Sequence, residues 1–355
     1  MQLGRLKELF EAALDLPERE RGEFIRVASG GDSTLTGELS SLLAAHEASD
    51  GYFERLSEEV IAPAILAIAL DDPEDASSSD RKVSHYEILE RIGGGGMGVV
   101  YKARDTRLDR TVALKFLPRH HASNPGARAR LLAEARAASA LDHPNIGVVY
   151  EIGEADDGRP FIAMAWYDGE TLKEKARRAP LDVADAVAVA GQLANALMAA
   201  HGASIIHRDV KPANVLVTRS GIVKLVDFGI AKLMSDTGDE NHAIAGTVAY
   251  MSPEQTVEAP LDARTDVWSL GVVLYEILAG KRPFRGETDE RTIAAIRHEQ
   301  PVPLSTLRAD VPPRLVSIIE RCLQKNRDER YQTVEELGDA LKRWNADSAV
   351  PSTRS

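Results

Sequence analysis

The chain has 355 residues, with 43 Lys and Arg against 55 Asp and Glu, giving a formal net charge of −12. Its 44% hydrophobic and 28% charged content supports a core and excludes wholesale disorder, collagen-like repeats and low complexity. That length suits one large fold plus an appendage, and the acidic balance counts against nucleic acid as the main partner, because phosphate binding calls for a basic face.

In chain order, residues 1–70 read as a small helical appendage. Leu3, Leu6, Leu9, Phe10, Ala13 and Leu14 recur at helical spacing, as do Leu35, Leu39, Leu42 and Leu43 further on. Such a segment is either a packed structural piece or a regulatory and interaction module. Residues 71–82 contain no apolar side chain larger than alanine and read as a linker. From 83 the texture changes. Short β-like runs occur at 86–89, 99–101 and 112–114, a helical Ala/Arg/Leu stretch at 126–141, and strands again at 146–152 and 160–164. Helices dominate from 183, with short strands at 215–217 and 222–226. The expectation is an α+β chain with two lobes, a small β-rich lobe at 83–164 and a larger α-rich lobe at 168–345. A polar tail follows at 346–355.

The single cysteine, Cys322, permits no intrachain disulfide and no multi-cysteine zinc site. Within the apolar helical run 315–323 it reads as a buried thiol, which suits a reducing compartment. No signal peptide is visible at Met1-Gln2-Leu3-Gly4-Arg5. The most apolar stretch, 61–70, contains Pro63 and is about half the length of a membrane helix. A cytoplasmic chain without a membrane span is expected.

Residues 92–101 contain G-x-G-x-x-G-x-V at Gly93, Gly95, Gly98 and Val100. Glycines let backbone N–H groups approach phosphate oxygens with no Cβ in the way. A strand follows rather than a helix, so this is not a dinucleotide fingerprint. Lys115 ends the next apolar strand. It reads either as a snorkelling surface charge or, below a phosphate-covering loop, as a phosphate-binding cation. Glu134 is the one acid of the helix at 127–140 and a candidate partner for Lys115, unless Arg130 at i−4 satisfies it.

The most specific segment is Ile205-Ile206-His207-Arg208-Asp209-Val210-Lys211-Pro212-Ala213-Asn214-Val215-Leu216. Polar groups set so tightly between apolar runs are costly unless they serve a site. Further on, Val223-Lys224-Leu225-Val226-Asp227-Phe228-Gly229 places a second acid at a strand end. Asn214 and Asp227 offer two oxygen ligands that suit Mg²⁺, an ion that keeps waters and phosphate oxygens in its shell.

With these motifs the chain resembles the protein kinases, specifically the bacterial eukaryotic-like (Hanks-type) Ser/Thr kinases. The match runs over about 84–345 and includes Ser252-Pro253-Glu254, the run from Asp266 to Gly271, and a late Arg330. The resemblance implies a bilobal kinase fold, ATP as phosphate donor, Mg²⁺ with Mn²⁺ as substitute, and protein acceptors bearing Ser or Thr. It implies that Asp209 orients the acceptor hydroxyl, Lys211 steadies the γ-phosphate, and Asn214 and Asp227 hold the metal. Lys115 would contact the α/β-phosphates and pair with Glu134. The nucleotide would be enclosed by Ile92, Gly93, Gly94, Gly95, Gly96, Met97 and Gly98, with Val100, Ala113 and Leu216. Met164 would be the gatekeeper, and the Ala165 C=O and Tyr167 N–H would bind the adenine edge. Glu254 with Arg330, and Asp266 with the catalytic loop, would be architectural. Residues 246–250 would shape the acceptor pocket. A homodimer for trans-autophosphorylation is a further implied partner, and a catalytically weak nucleotide-binding scaffold is the alternative function. Arg208 suggests control by loop phosphorylation at Ser235 or Thr237. The acids Asp239 and Glu240 replace phosphate in one reading and form a solvated loop in the other.

Overall fold

The computed structural model describes Phe24 and residues 82–95, 98–116, 139–156, 158–228, 248–257 and 259–348. The chain divides into two units, Met1–Ser77 and Ser78–Ser355, and the described residues other than Phe24 belong to the second. The expected appendage, the linker up to Arg81, the helix carrying Glu134, and the loop with Ser235, Thr237 and Thr247 lie outside the described residues.

The first lobe is an antiparallel sheet of six strands. They are β1 (Lys82–Val83), β2 (Tyr86–Gly95), β3 (Gly98–Asp105), β4 (Arg110–Phe116), β5 (Val149–Glu154) and β6 (Pro160–Ala165), in the spatial order β1-β2-β3-β4-β6-β5. The two-residue side-chain period of a strand sorts β4 cleanly. Val112, Leu114 and Phe116 enter the lobe core with Tyr86, Ile88, Ala103, Phe161 and Ala163. Tyr86 and Phe161 meet edge to face at 5.8 Å, as do Tyr101 and Phe116 at 5.7 Å. Ala113 and Lys115 therefore point to the opposite face.

The second lobe opens with β7 (Gly169–Thr171), which pairs with β8 (Val215–Thr218) and β9 (Val223–Leu225) in a three-stranded sheet. Its helices are α1 (Leu172–Arg178), α2 (Val183–Gly202), α3 (Arg264–Ala279), α4 (Asp289–His298), α5 (Leu304–Leu307), α6 (Pro313–Cys322) and α7 (Val334–Ser348). α1 starts with a capping box, Thr171 Oγ1 accepting from the Glu174 backbone while the Glu174 carboxylate accepts from the Thr171 N–H. α3 is buried along nearly its whole length and stops at Gly280, whose φ of 70° lies where side chains are disfavoured. α7 continues to Ser348, into the segment expected as a polar tail.

Length and composition would let α2 cross a membrane, its mean hydropathy reaching 1.4 over 18 residues. Among the described residues it is the helix with that length and composition, and alanine is its commonest residue. Here Leu193, Ala194 and Leu197 are buried in the lobe core and α7 packs along the helix. Cys322 is buried at the end of α6, where loss of water pushes its thiol up to about 12 and keeps it protonated.

Candidate active site

Register in the first lobe assembles one ligand-facing surface. Gly93 pairs with Val100, Val100 with Lys115, and Ala113 with Met164. Residues opposite one another in an antiparallel pair share a face, so these five expected nucleotide contacts lie together, turned away from the aromatic core. Ile92 is the extra residue where the β2–β3 register shifts between Arg91 and Gly93, and it is exposed. β2 runs through Gly94 to Gly95, and β3 resumes at Gly98; Gly96 and Met97 lie outside the described residues. Ala165 ends β6 opposite Val112, on the alternate face, so its backbone is what it can offer a ligand.

The segment after β6 is gripped from both lobes. Lys102 of β3 sits 4.9 Å from the centre of the Trp166 ring, and Lys224 of β9 sits 4.8 Å from that of Tyr167. The Tyr167 hydroxyl accepts from the Val148 N–H at 3.0 Å. In β8, Val215 and Val217 face the core, which turns Leu216 and its partner Lys224 to the other side.

The catalytic run forms an irregular loop that ends in a single 3₁₀ turn, Pro212–Asn214. Its polar side chains converge. Lys211 Nζ lies 2.9 Å from Asp209 Oδ2, and Asn214 Nδ2 donates to the same oxygen at 2.9 Å and to the Asp209 carbonyl at 2.9 Å. The Asn214 carbonyl accepts from the Val226 N–H at 2.9 Å, which ties this loop to the segment bearing Asp227. Asp227 in turn has Oδ2 2.7 Å from Lys115 Nζ, joining the two lobes across the cleft.

Two buried groups hold the loop. Asp266, fully buried at the start of α3, accepts from the His207 and Arg208 N–H groups at 2.9 and 2.8 Å and from His201 Nε2 at 2.8 Å. His207 is buried and lies against Phe228, with ring centres 4.6 Å apart and planes tilted by 49°. Its Nδ1 accepts from the Asp209 N–H and its Nε2 donates to the Val226 carbonyl, both at 3.2 Å. Those two bonds require a neutral ring protonated on Nε2, and burial pushes its pKa down in the same sense. Deeper in the lobe, Arg330 binds Glu254 through both oxygens at 2.8 and 2.9 Å, the pair the kinase resemblance implies.

Residues 86–340 match the family model of the protein kinase domain. The chain belongs to the protein kinase family. It is 44% identical over 261 residues to the serine/threonine-protein kinase PknB of Mycolicibacterium smegmatis, covering 71% of this chain and 41% of the relative. It is 40% identical over 265 residues to PknB of Mycobacterium tuberculosis, covering 73% and 42%. The chain thus spans about two fifths of the length of these curated relatives, 41% and 42%. The crystal structure of the Mycobacterium tuberculosis PknI kinase domain superposes with a TM-score of 0.62 at 29% identity, covering 76% of this chain and 99% of that one.

Membership in the kinase family carries use of ATP and a divalent metal in general. The residues present fit such a metal. Asp227 Oδ1 is buried and has no hydrogen-bond partner among the described residues, and a buried carboxylate oxygen left bare is costly unless a cation takes it. Asn214 spends its Nδ2 on Asp209, which leaves its oxygen as the end that can ligate.

Several residues that brace the loops around the site from outside it carry no signal in the sequence. His201, Asn145 and Gln255 look like surface polar residues in the sequence. Yet Asn145 Nδ2 donates to Gln192 and to the Val223 carbonyl at 2.9 and 3.0 Å, and Gln255 Nε2 donates to the Arg208 carbonyl at 3.0 Å. No local pattern announces them, because each partner is remote in sequence. α1 had a signal that was missed, the Thr-x-x-Glu capping box.

Proposed function

We propose that this chain is an ATP- and Mg²⁺-dependent protein kinase that phosphorylates Ser and Thr hydroxyls of protein substrates, itself included. The observation that carries this reading is Asn214. Its side chain holds Asp209 and its carbonyl holds the Asp227 segment, so the acceptor-side and donor-side acids are fixed relative to each other.

Phosphoryl transfer asks for alignment and charge placement more than covalent work by the protein. Asp209, oriented by Lys211 and Asn214, accepts the hydrogen bond of the incoming hydroxyl and takes its proton as the new O–P bond forms, while the bond from the γ-phosphorus to the β–γ bridging oxygen breaks and ADP leaves with that oxygen. Lys211 serves the transferring phosphate from the same position. Lys115 leaves or shares Asp227 to meet the α/β-phosphates, on the face it shares with Val100. Asn214 and Asp227 would hold Mg²⁺, with Mn²⁺ as a substitute, and the metal supplies neutralisation of charge on the phosphates. The Ser/Thr preference is supported by Lys211, two residues after Asp209, and by the names of the relatives.

The test is transfer from labelled ATP with Mg²⁺ by the wild type and by Asp209→Asn, with mapping of labelled residues. Ser or Thr labelling by the wild type alone supports the reading. Nucleotide binding without transfer by either protein, on generic acceptors and on itself, would overturn it in favour of a scaffold.

A further inference from the structure

Arg208, the residue before Asp209, has a φ of 65°. A non-glycine residue in that left-handed region is strained and persists only where its surroundings fix it. Its two peptide groups are pinned from outside the loop. On one side the Arg208 N–H donates to Asp266 Oδ1 at 2.8 Å. On the other its carbonyl accepts from Gln255 Nε2 at 3.0 Å. Gln255 is buried, with 6% of its surface exposed, and its other amide end is also used: Oε1 accepts from the Ser252 N–H at 2.9 Å. The Gln255 N–H is bonded in return to the Ser252 carbonyl at 3.0 Å. One buried amide therefore connects the peptide next to Asp209 with the segment that follows the buried turn Val248–Tyr250.

We infer that Gln255 is a positioning residue for the acceptor: through Arg208 and Ser252 it sets the spacing between Asp209 and residues 248–250, which the kinase resemblance makes part of the acceptor pocket. The inference rests on the kinase reading above. The amide chemistry is specific. Glutamate keeps an acceptor for Ser252 but turns a carboxylate onto the Arg208 carbonyl. Methionine keeps the length and loses both bonds. Neither change touches the nucleotide face of the first lobe.

The test uses the full chain and a Ser/Thr peptide acceptor found for the wild type. Three quantities are measured for the wild type, Gln255→Glu and Gln255→Met, each well below its own melting temperature. They are kcat/KM for the peptide, nucleotide affinity, and the slow hydrolysis of ATP without peptide. Loss of one or two buried hydrogen bonds is expected to lower peptide kcat/KM about tenfold. Nucleotide affinity and ATP hydrolysis should stay within about twofold of the wild type, since a residue acting on acceptor placement leaves the donor side alone. Equal loss of hydrolysis and peptide transfer would mean a merely structural role and overturn the inference. So would unchanged peptide kinetics in both variants. A wild type that transfers no phosphate strikes the kinase reading itself, and the inference with it.

Discussion

Lys115 holds one oxygen of Asp227 at 2.7 Å while the other oxygen of that carboxylate is buried with no partner among the described residues. The acid is thus half neutralised by the lysine it must share with a nucleotide. A divalent ion held by that bare oxygen would supply the remaining positive charge.

Lys115 and Asp227 should therefore fail differently. Asp227→Asn is expected to erase most of the dependence of nucleotide affinity on divalent ions. Lys115→Met should weaken nucleotide binding but retain that dependence. Phosphate transfer should fall by at least about 100-fold in both. Calorimetric titration with ATP, with and without Mg²⁺, separates the two.

The Glu254–Arg330 pair makes a stability prediction. Arg330 is fully buried, and Thr265 Oγ1 adds a third bond to Glu254 at 3.0 Å. Glu254→Gln leaves a buried guanidinium short of its counter-charge and should cost about 3–5 kcal/mol in urea unfolding. Replacing both partners by methionine should cost less than the sum of the single changes.

The same pair fixes a pH dependence. Burial pulls the Glu254 carboxyl up, but the Arg330 guanidinium overrides it and holds the group below the ordinary value of 4.5. A folded pKa below the unfolded one gives stability that is present above about pH 4.5 and is lost as pH falls through the lower, folded value. Unfolding curves between pH 5 and 3 should show that loss in the wild type and less of it in Glu254→Gln.

His207 acts at a higher pH. Burial lowers its pKa from 6.5, so below that value the unfolded chain binds a proton the folded one refuses. Stability should decline as pH falls below about 6.5. His207→Phe should lose that part of the slope and be less stable at neutral pH, having given up both hydrogen bonds.

Much of this was legible because it is local. The alternation Val112, Leu114, Phe116 against Ala113, Lys115 places the lysine on the ligand face before any tertiary contact is known. The run from Ile205 to Leu216 carries Asp209, Lys211 and Asn214 on one short loop. What sequence could not supply are the bonds that aim this loop. Arg208 and Asp227 both take positive φ without the glycine that usually marks it, because Asp266, Gln255 and Lys115 hold their flanks from distant elements.

Close packing yields a further prediction. A Cβ added at Gly271, in the middle of α3, would lie 2.5 Å from Cys322 Cβ of α6. Gly271→Ala must push the two helices apart and should destabilise the chain by about 1–3 kcal/mol, read as a lower melting temperature. Cys322→Ala would keep the clashing Cβ and give no rescue, whereas Cys322→Gly should restore part of the loss.

The packing of α7 along α2 has a consequence for synthesis. α2 leaves the ribosome long before Val334 is translated, and α7 is part of its cover. Until α7 arrives, the nascent chain displays a 20-residue alanine- and valine-rich helix with the length and hydropathy of a transmembrane segment. A chain broken off before Val334 would present to targeting factors and chaperones a hydrophobic address that the finished protein keeps folded away.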